Sequence, residues 1–247
     1  MSNYLVSARK YRPRKFEEVV GQKHITTTLH NAILNNRIGH AYLFCGPRGV
    51  GKTTCARIFA KEVNQFENEN QVDDFSFNIF ELDGASNNSV DDIRNLIDQV
   101  KIPPQIGKYK VYIIDEVHML SKSAFNAFLK TLEEPPKHSI FILATTEKEK
   151  IIPTILSRCQ IFDFHRINNS EMITHLNKIL TKENITAEEN SLKLIAEKAD
   201  GSLRDALSIF DRVYTFCNST WEHQEVAKIL LSLDTSFSIQ LVDLIIK

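Results

Sequence analysis

The sequence predicts an α/β fold built on a mostly parallel sheet of five strands, followed by a small all-helical unit. Three observations predict it. Short apolar runs of strand type alternate with segments of helical period, a Gly-rich loop stands between one such run and the helix after it, and strand-type runs cease after Arg166. The 247 residues, 43% apolar and 25% charged, allow one large domain or a domain with a smaller companion. They exclude a disordered chain and a disulfide-stapled miniprotein.

In chain order, Ile25, Leu29, Ala32 and Ile33 recur at helical spacing ahead of a first strand, Ala41 to Cys45. Residues 62 to 76 are polar, acidic and without apolar periodicity, and read as an exposed connector. A second strand is expected over Asn78 to Leu82. Ser89 followed by Asp92 places a capping oxygen and an acid at a helix start, ahead of Ile93, Leu96, Ile97 and Val100. Strands follow over Lys110 to Ile114, Ser139 to Ala144 and Gln160 to Phe164, with a helix through Phe125, Phe128, Leu129 and Leu132 between the first two. From Ser170 to Leu231 only helical patterns occur: Ile173, Leu176, Ile179, Leu180; then Leu192, Ile195, Ala196, Ala199; then Ala206, Leu207, Phe210, Val213, with a second start signal at Ser202 and Asp205. Phe237 to Ile246 begins one more apolar helix. The expected boundaries are 1–168, 169–232 and 233–247, and no internal repeat is present.

The longest uninterrupted apolar runs, Ala41 to Cys45 and Ile140 to Ala144, are five residues each, far short of the ~20 that a membrane-spanning helix needs. Tyr4, Leu5 and Val6 precede Arg9, Lys10 and Arg12, the reverse of a secretory signal. The expectation is a cytoplasmic protein with no membrane contact. Cys45, Cys55, Cys159 and Cys217 form no Cys-x-x-Cys pair, so no zinc is expected and the thiols read as reduced. The net charge of −1 hides an uneven distribution: residues 1–61 carry a net +9 and residues 62–98 a net −9. A basic N-terminal part suits nucleic acid or the phosphates of a nucleotide.

Gly46-Pro47-Arg48-Gly49-Val50-Gly51-Lys52-Thr53 is a complete G-x-x-x-x-G-K-T between a strand and the helix from Thr54 onward. In such a loop the glycines turn backbone N–H groups inward around phosphates, the lysine reaches the β- and γ-phosphates, and the hydroxyl holds Mg²⁺. The expected ligand is therefore a nucleoside triphosphate with Mg²⁺, held by Gly46, Gly49, Val50, Gly51, Lys52, Thr53 and Thr54. Val111-Tyr112-Ile113-Ile114 runs into Asp115-Glu116-Val117-His118, so two carboxylates emerge at a strand's C-terminal end. Beside a phosphate loop, Asp115 suits Mg²⁺ and Glu116 suits activation of the attacking water. His118 reads as structural. Thr145-Thr146, at the tip of another strand, either monitors a γ-phosphate or terminates the strand, and Arg158 and Arg204, taken alone, read as solvated surface groups.

The ordered set of phosphate loop, Asp115-Glu116-Val117-His118, Ala144-Thr145-Thr146, Ser157-Arg158-Cys159 and Gly201-Ser202-Leu203-Arg204-Asp205-Ala206 resembles the AAA+ clamp-loader ATPases, nearest the bacterial DNA polymerase III gamma/tau branch. The match extends to Ala8-Arg9-Lys10-Tyr11-Arg12-Pro13, Val19-Val20-Gly21-Gln22, His40-Ala41-Tyr42-Leu43-Phe44 and Thr131-Leu132-Glu133-Glu134-Pro135-Pro136. The resemblance implies a P-loop ATPase domain, with ATP as the nucleoside triphosphate, a helical lid and a collar that begins near residue 233. It implies that Tyr11, Arg12, Val19 and Val20 line an adenine pocket and that Thr146 is a first sensor. Arg204 would be a second sensor in the lid, and Arg158 an arginine finger acting in trans on a neighbouring subunit. It implies a role in DNA replication, with other clamp-loader subunits, the sliding clamp and primer-template DNA as partners. Asn88 and Ser89, ahead of a helix facing the template, are candidate DNA contacts.

The chain departs from the family pattern twice. The four-cysteine zinc module that usually follows the phosphate-loop helix is replaced by the acidic connector, and the collar is barely begun, so this chain alone is expected to be a monomer with weak ATPase. Nothing in the sequence supports a polymerase site. Two alternatives are a non-hydrolysing, stator-like scaffold subunit, opposed by intact Lys52, Thr53, Asp115 and Glu116, and an AAA+ branch-migration motor, disfavoured by Ser157-Arg158-Cys159.

Overall fold

A computed structural model describes residues 5–65, 75–217 and 219–230. The chain divides into two units: Pro13–His165, and the described residues of Met1–Arg12 together with those of Arg166–Lys247. Among the described residues no helix is long and apolar enough to cross a membrane.

The first unit is a five-stranded, wholly parallel sheet in the order β2-β3-β4-β1-β5. Its strands are β1 (Ala41–Cys45), β2 (Ile79–Asp83), β3 (Lys110–Asp115), β4 (Ser139–Thr145) and β5 (Gln160–Asp163). Successive strand side chains point to opposite faces, and in the three central strands both sets are apolar because helices cover both faces. Tyr42, Phe44, Val111, Ile113, Ile140 and Ile142 pack under α2 (Lys23–Leu34) and α3 (Lys52–Gln65). Leu43, Tyr112, Ile114, Phe141 and Leu143 pack in one cluster with residues of α4 (Val90–Val100), α5 (Lys122–Glu133) and the short α6 (Pro153–Leu156). The start signal at Ser89 is a full capping box: the Asp92 amide donates to Ser89 Oγ at 3.2 Å, and the Ser89 amide donates to the Asp92 carboxylate at 3.2 Å.

The observed edges differ from the expected ones for identifiable reasons. β2 starts one residue late because Asn78 is buried and its carboxamide donates to the Ile106 carbonyl at 2.6 Å. β3 and β4 each run one residue further, bringing Asp115 and Thr145 into the sheet. β5 ends before Phe164, whose amide still donates to the Cys45 carbonyl at 2.7 Å. The connector expected from residue 62 begins later, because α3 continues to Gln65. Val63 is in the core, and Asn64 accepts from the Tyr109 amide at 2.9 Å while donating to the Tyr109 carbonyl at 3.0 Å. Residues 66–74 of that connector lie outside the described residues.

The second unit contains α1 (Ser7–Lys10), α7 (Asn169–Glu183), α8 (Glu189–Ala199) and α9 (Leu203–Cys217), with helix again over 223–230. It is not purely helical: β6 (Thr186–Ala187) and β7 (Thr220–Trp221) pair in parallel. That pairing accompanies burial of Trp221, whose ring meets Phe210 edge-on at 4.8 Å. Residues 5–12, which the sequence reading groups with the sheet, join this unit, and the Ser7 amide donates to Asp211 Oδ2 at 2.9 Å. The expected helix over Phe237 to Ile246 lies outside the described residues.

The sheet's helix-covered face supplies a direct test. Phe128 is fully buried and meets Phe141 edge-on at 5.2 Å. Phe128→Ala is expected to cost about 3–5 kcal/mol, measured by urea unfolding followed by circular dichroism; an unchanged midpoint would contradict this packing.

Candidate active site

In a parallel sheet the ligand-binding edge is formed by the C-terminal ends of the strands. Here β1 lies beside β4 and β4 beside β3. The loop after β1, Asp115 at the end of β3 and Thr145 at the end of β4 therefore share one edge.

Gly46, Gly49 and Gly51 all have positive φ. At Gly51, with φ +106°, a Cβ would meet nothing within 4 Å, so it is the backbone conformation and not crowding that calls for glycine. Lys52, the first residue of α3, is buried, and its ammonium donates to the carbonyls of Gly46 at 2.7 Å and Pro47 at 2.8 Å. Burial holds its pKa below the usual lysine value, against the opposing pull of Glu116 and Asp115. The Thr53 hydroxyl donates to Asp115 Oδ2 at 2.7 Å. Asp115 Oδ1 accepts from the Glu116 amide at 3.0 Å. Glu116 is left-handed, with φ 45° and ψ 44°, and its Oε2 accepts from the Thr146 hydroxyl at 3.1 Å. Such a conformation is strained for a non-glycine residue, and strain of this kind clusters at functional sites. Thr53, Asp115, Glu116 and Thr146 thus form one hydrogen-bonded set, with Lys52 bonded to the loop carbonyls and Thr54 following in the first turn of α3.

Comparison with known proteins accords with this geometry. The family model described as "DNA polymerase III, delta subunit" matches residues 21–168, and "DNA polymerase III clamp loader subunit, ATPase lid domain" matches residues 171–219. DNA polymerase III subunit tau of Bacillus subtilis is 54% identical over 229 residues, covering 87% of this chain and 40% of that protein. The Escherichia coli tau subunit is 43% identical, covering 99% of this chain and 40% of that protein. Subunit gamma of Buchnera aphidicola from Acyrthosiphon pisum is 41% identical, covering 99% of this chain and 71% of that protein. The chain belongs to the DNA polymerase III gamma/tau family of clamp-loader subunits. It spans about 40% of the length of the tau relatives.

Among solved structures, the Thermotoga maritima RuvB Holliday junction branch migration motor superposes with a TM-score of 0.71 at 20% identity, covering 90% of this chain and 72% of that one. A lysine-to-arginine mutant of Thermotoga maritima RuvB gives 0.74, also at 20% identity, covering 92% of this chain and 74% of that one. At that identity the likeness shows the AAA+ fold alone, and the sequence relatives do not favour the branch-migration alternative.

Measured against the gamma/tau pattern, the remaining expected site residues fall elsewhere. Arg158 lies just before β5, at the N-terminal edge of the sheet, where its guanidinium donates to Glu133 Oε1 at 2.6 Å and to the Thr154 carbonyl at 2.7 Å. It is not brought to the phosphate-loop edge of its own sheet. Val19 packs against the core that contains Val50, and Val20 is half-buried. Ser89 and Asn88 are exposed, with Ser89 committed to its capping box and the Asn88 carbonyl accepting from the Ser121 amide at 3.2 Å. Tyr11, Arg12 and Arg204 belong to the second unit. There the Tyr11 hydroxyl donates to the Glu183 carboxylate, which Lys10 also engages at 2.5 Å, and Arg204 is exposed near the start of α9. These bonds hold the Glu183 carboxyl below its usual pKa, while burial and Glu183 raise that of Tyr11.

Two supporting residues escaped the sequence reading. Gly84 is one: a Cβ there would lie 2.8 Å from the Glu116 carbonyl oxygen and 3.0 Å from that of Asp115, so glycine lets β2's exit pass the Asp-Glu pair. Gln22, fully buried, donates to the His165 carbonyl at 2.7 Å and the Val50 carbonyl at 3.5 Å, tying the phosphate loop to the chain after β5. His118, which the sequence reads as structural, contacts Thr145 and Glu147. Only the position of Gln22 inside the block Val19-Val20-Gly21-Gln22 offers a sequence signal; the role of Gly84 depends on contacts across the sheet.

The buried ammonium gives a pH test. Folded Lys52 loses its proton below 10.5, the unfolded value. In the window between the two pKa values the unfolded chain binds more protons, so this group's contribution makes stability rise with pH. Relative to Lys52→Met, the wild type is expected to gain stability as pH rises toward 10.5, the unfolded value, read by urea unfolding across the alkaline range. Parallel curves for the two proteins would contradict the shift.

Proposed function

We propose that this chain is an ATP-hydrolysing motor subunit of the bacterial clamp loader, which places the sliding clamp on primed DNA during replication. The observation that carries the reading is the hydrogen-bonded run Thr53–Asp115–Glu116–Thr146 beside a phosphate loop with three positive-φ glycines. Family membership supports the clamp-loading context.

The residues fit ATP and Mg²⁺. Positive-φ glycines turn successive backbone N–H groups into an anion cradle, and Lys52 adds a fixed cation beside the loop. The Thr53 hydroxyl and the Asp115 carboxylate, 2.7 Å apart, are the hard oxygen donors magnesium takes. When bound, the metal offsets charge on the phosphate oxygens. Thr53 and Asp115 would hold it, directly or through water. Glu116 would accept the proton of the attacking water, and Thr146 fixes the orientation of that carboxylate. Tyr11, Arg12, Val19 and Val20 would line the adenine pocket, and Arg204 would report nucleotide occupancy from the lid.

Arg158 stands at the opposite edge of the sheet from Lys52, which supports an arginine finger serving a neighbouring subunit and not its own nucleotide. The chain's partners would be other clamp-loader subunits, the sliding clamp and primer-template DNA, with Asn88 and Ser89 as backbone contacts. With no zinc-ligand set in the sequence, no zinc enters this reading.

Isothermal titration with Mg²⁺ and a slowly hydrolysed ATP analogue tests it. The wild type is expected to bind, Lys52→Ala to lose binding, and Glu116→Gln to bind while ATP turnover falls about 100-fold or more. No binding by the wild type would instead favour the stator-like scaffold.

A further inference from the structure

The Glu116 carboxylate is held by more than Thr146. His118, two residues on, has a side chain only 6% exposed, and both ring nitrogens face polar groups. Nδ1 lies 3.0 Å from the Thr145 hydroxyl and 3.4 Å from Glu116 Oε2, and Nε2 lies 3.0 Å from Glu147 Oε1. Glu147 is fixed in turn: its amide donates to the Thr145 hydroxyl at 3.0 Å, and its other carboxylate oxygen pairs with Lys150 at 2.7 Å. The imidazole therefore ties the turn after β3 to the turn after β4.

We propose that His118 and Glu147 are positioning residues that hold the Glu116 carboxylate in its working orientation through the turn after β4: His118 fixes Thr145, the neighbour of the Thr146 that donates to Glu116, and Glu147 fixes the imidazole. This inference rests on the ATPase reading above. The physical argument is the strained backbone of Glu116. A residue at φ 45° is kept there by its surroundings, and its side chain, 34% exposed, would otherwise sample several rotamers beside solvent. Thr146 fixes Oε2 from one strand end. The imidazole ring lies beside the same oxygen; with its Nε2–H donating to the Glu147 carboxylate, Nδ1 accepts from the Thr145 hydroxyl, so the ring fixes the strand end that presents Thr146. The polar contacts of both residues run to Glu116 and the turn after β4 and not to the phosphate loop, so each acts on the reaction only through Glu116.

The test compares steady-state ATP turnover and analogue binding for wild type, Glu116→Gln, His118→Ala, His118→Gln and Glu147→Ala in the full chain. Misplacement of a reacting group typically costs up to about 100-fold. His118→Ala is expected to lower kcat about 10- to 100-fold with KM and analogue affinity unchanged. His118→Gln, whose carboxamide oxygen can still accept from the Thr145 hydroxyl, is expected to recover part of the loss. Glu147→Ala is expected to lower kcat less, and to have no further effect once His118 is already Ala. Wild-type turnover in His118→Ala, or a loss of affinity equal to its loss of kcat, would overturn the inference. Because the His118 side chain is buried, the Glu147→Ala variant at a half-buried position provides an independent arm: unchanged kcat there would also overturn it. If instead Glu116→Gln turns over ATP like the wild type, the ATPase reading fails and this inference falls with it.

Discussion

The parallel pairing of β3, β4 and β1 is the constraint on which the site depends. Parallel strands send every C-terminus to the same edge, and the register sets Cys45 level with Thr145. The Asp115-Glu116 pair and the Thr145-Thr146 tip lie far downstream of the phosphate loop in the chain, yet all three meet because the sheet lines up their ends. The Thr53–Asp115 hydrogen bond closes this arrangement by linking the first turn of α3 to the end of β3. A shift in the order of the central strands would separate every group of the set.

The same geometry divides the charged groups by role. Lys52 is buried at the ligand edge and donates to the loop's own carbonyls. Arg158, at the other edge, is paired with Glu133. The thiol of Cys45, at the end of β1, is pushed up to about 11 by burial, so it stays protonated and plays the part of a core side chain.

Much of this architecture is legible in the sequence. The three central strands are continuous apolar runs because both of their faces are buried, and such runs are visible without a structure. The phosphate loop and Asp-Glu pair are legible because their spacing relative to strand ends is local. The edge strands were less so. β5 is largely exposed, and its last expected residue, Phe164, leaves the ladder to fill the core beside Phe44. The β6–β7 pairing was hidden because two-residue strands leave no periodicity. Gly84 and Gln22 have roles the sequence does not show for a common reason: each acts across the sheet or between loops, where spacing along the chain carries no information. His118 reads as structural in the sequence, and its ring contacts to Thr145 and Glu147 are what place it beside the Asp-Glu pair.

The central claim is that the hydroxyl of Thr53 and the carboxylate of Asp115 form the metal-holding end of a nucleotide site. A crystal structure grown with a slowly hydrolysed ATP analogue and Mn²⁺ in place of Mg²⁺ tests it most directly, since the metal's anomalous signal marks its position. The account predicts one peak beside the analogue's phosphates, with Thr53 Oγ1 and Asp115 as its nearest protein groups. A bound analogue whose metal lies away from both residues would contradict it.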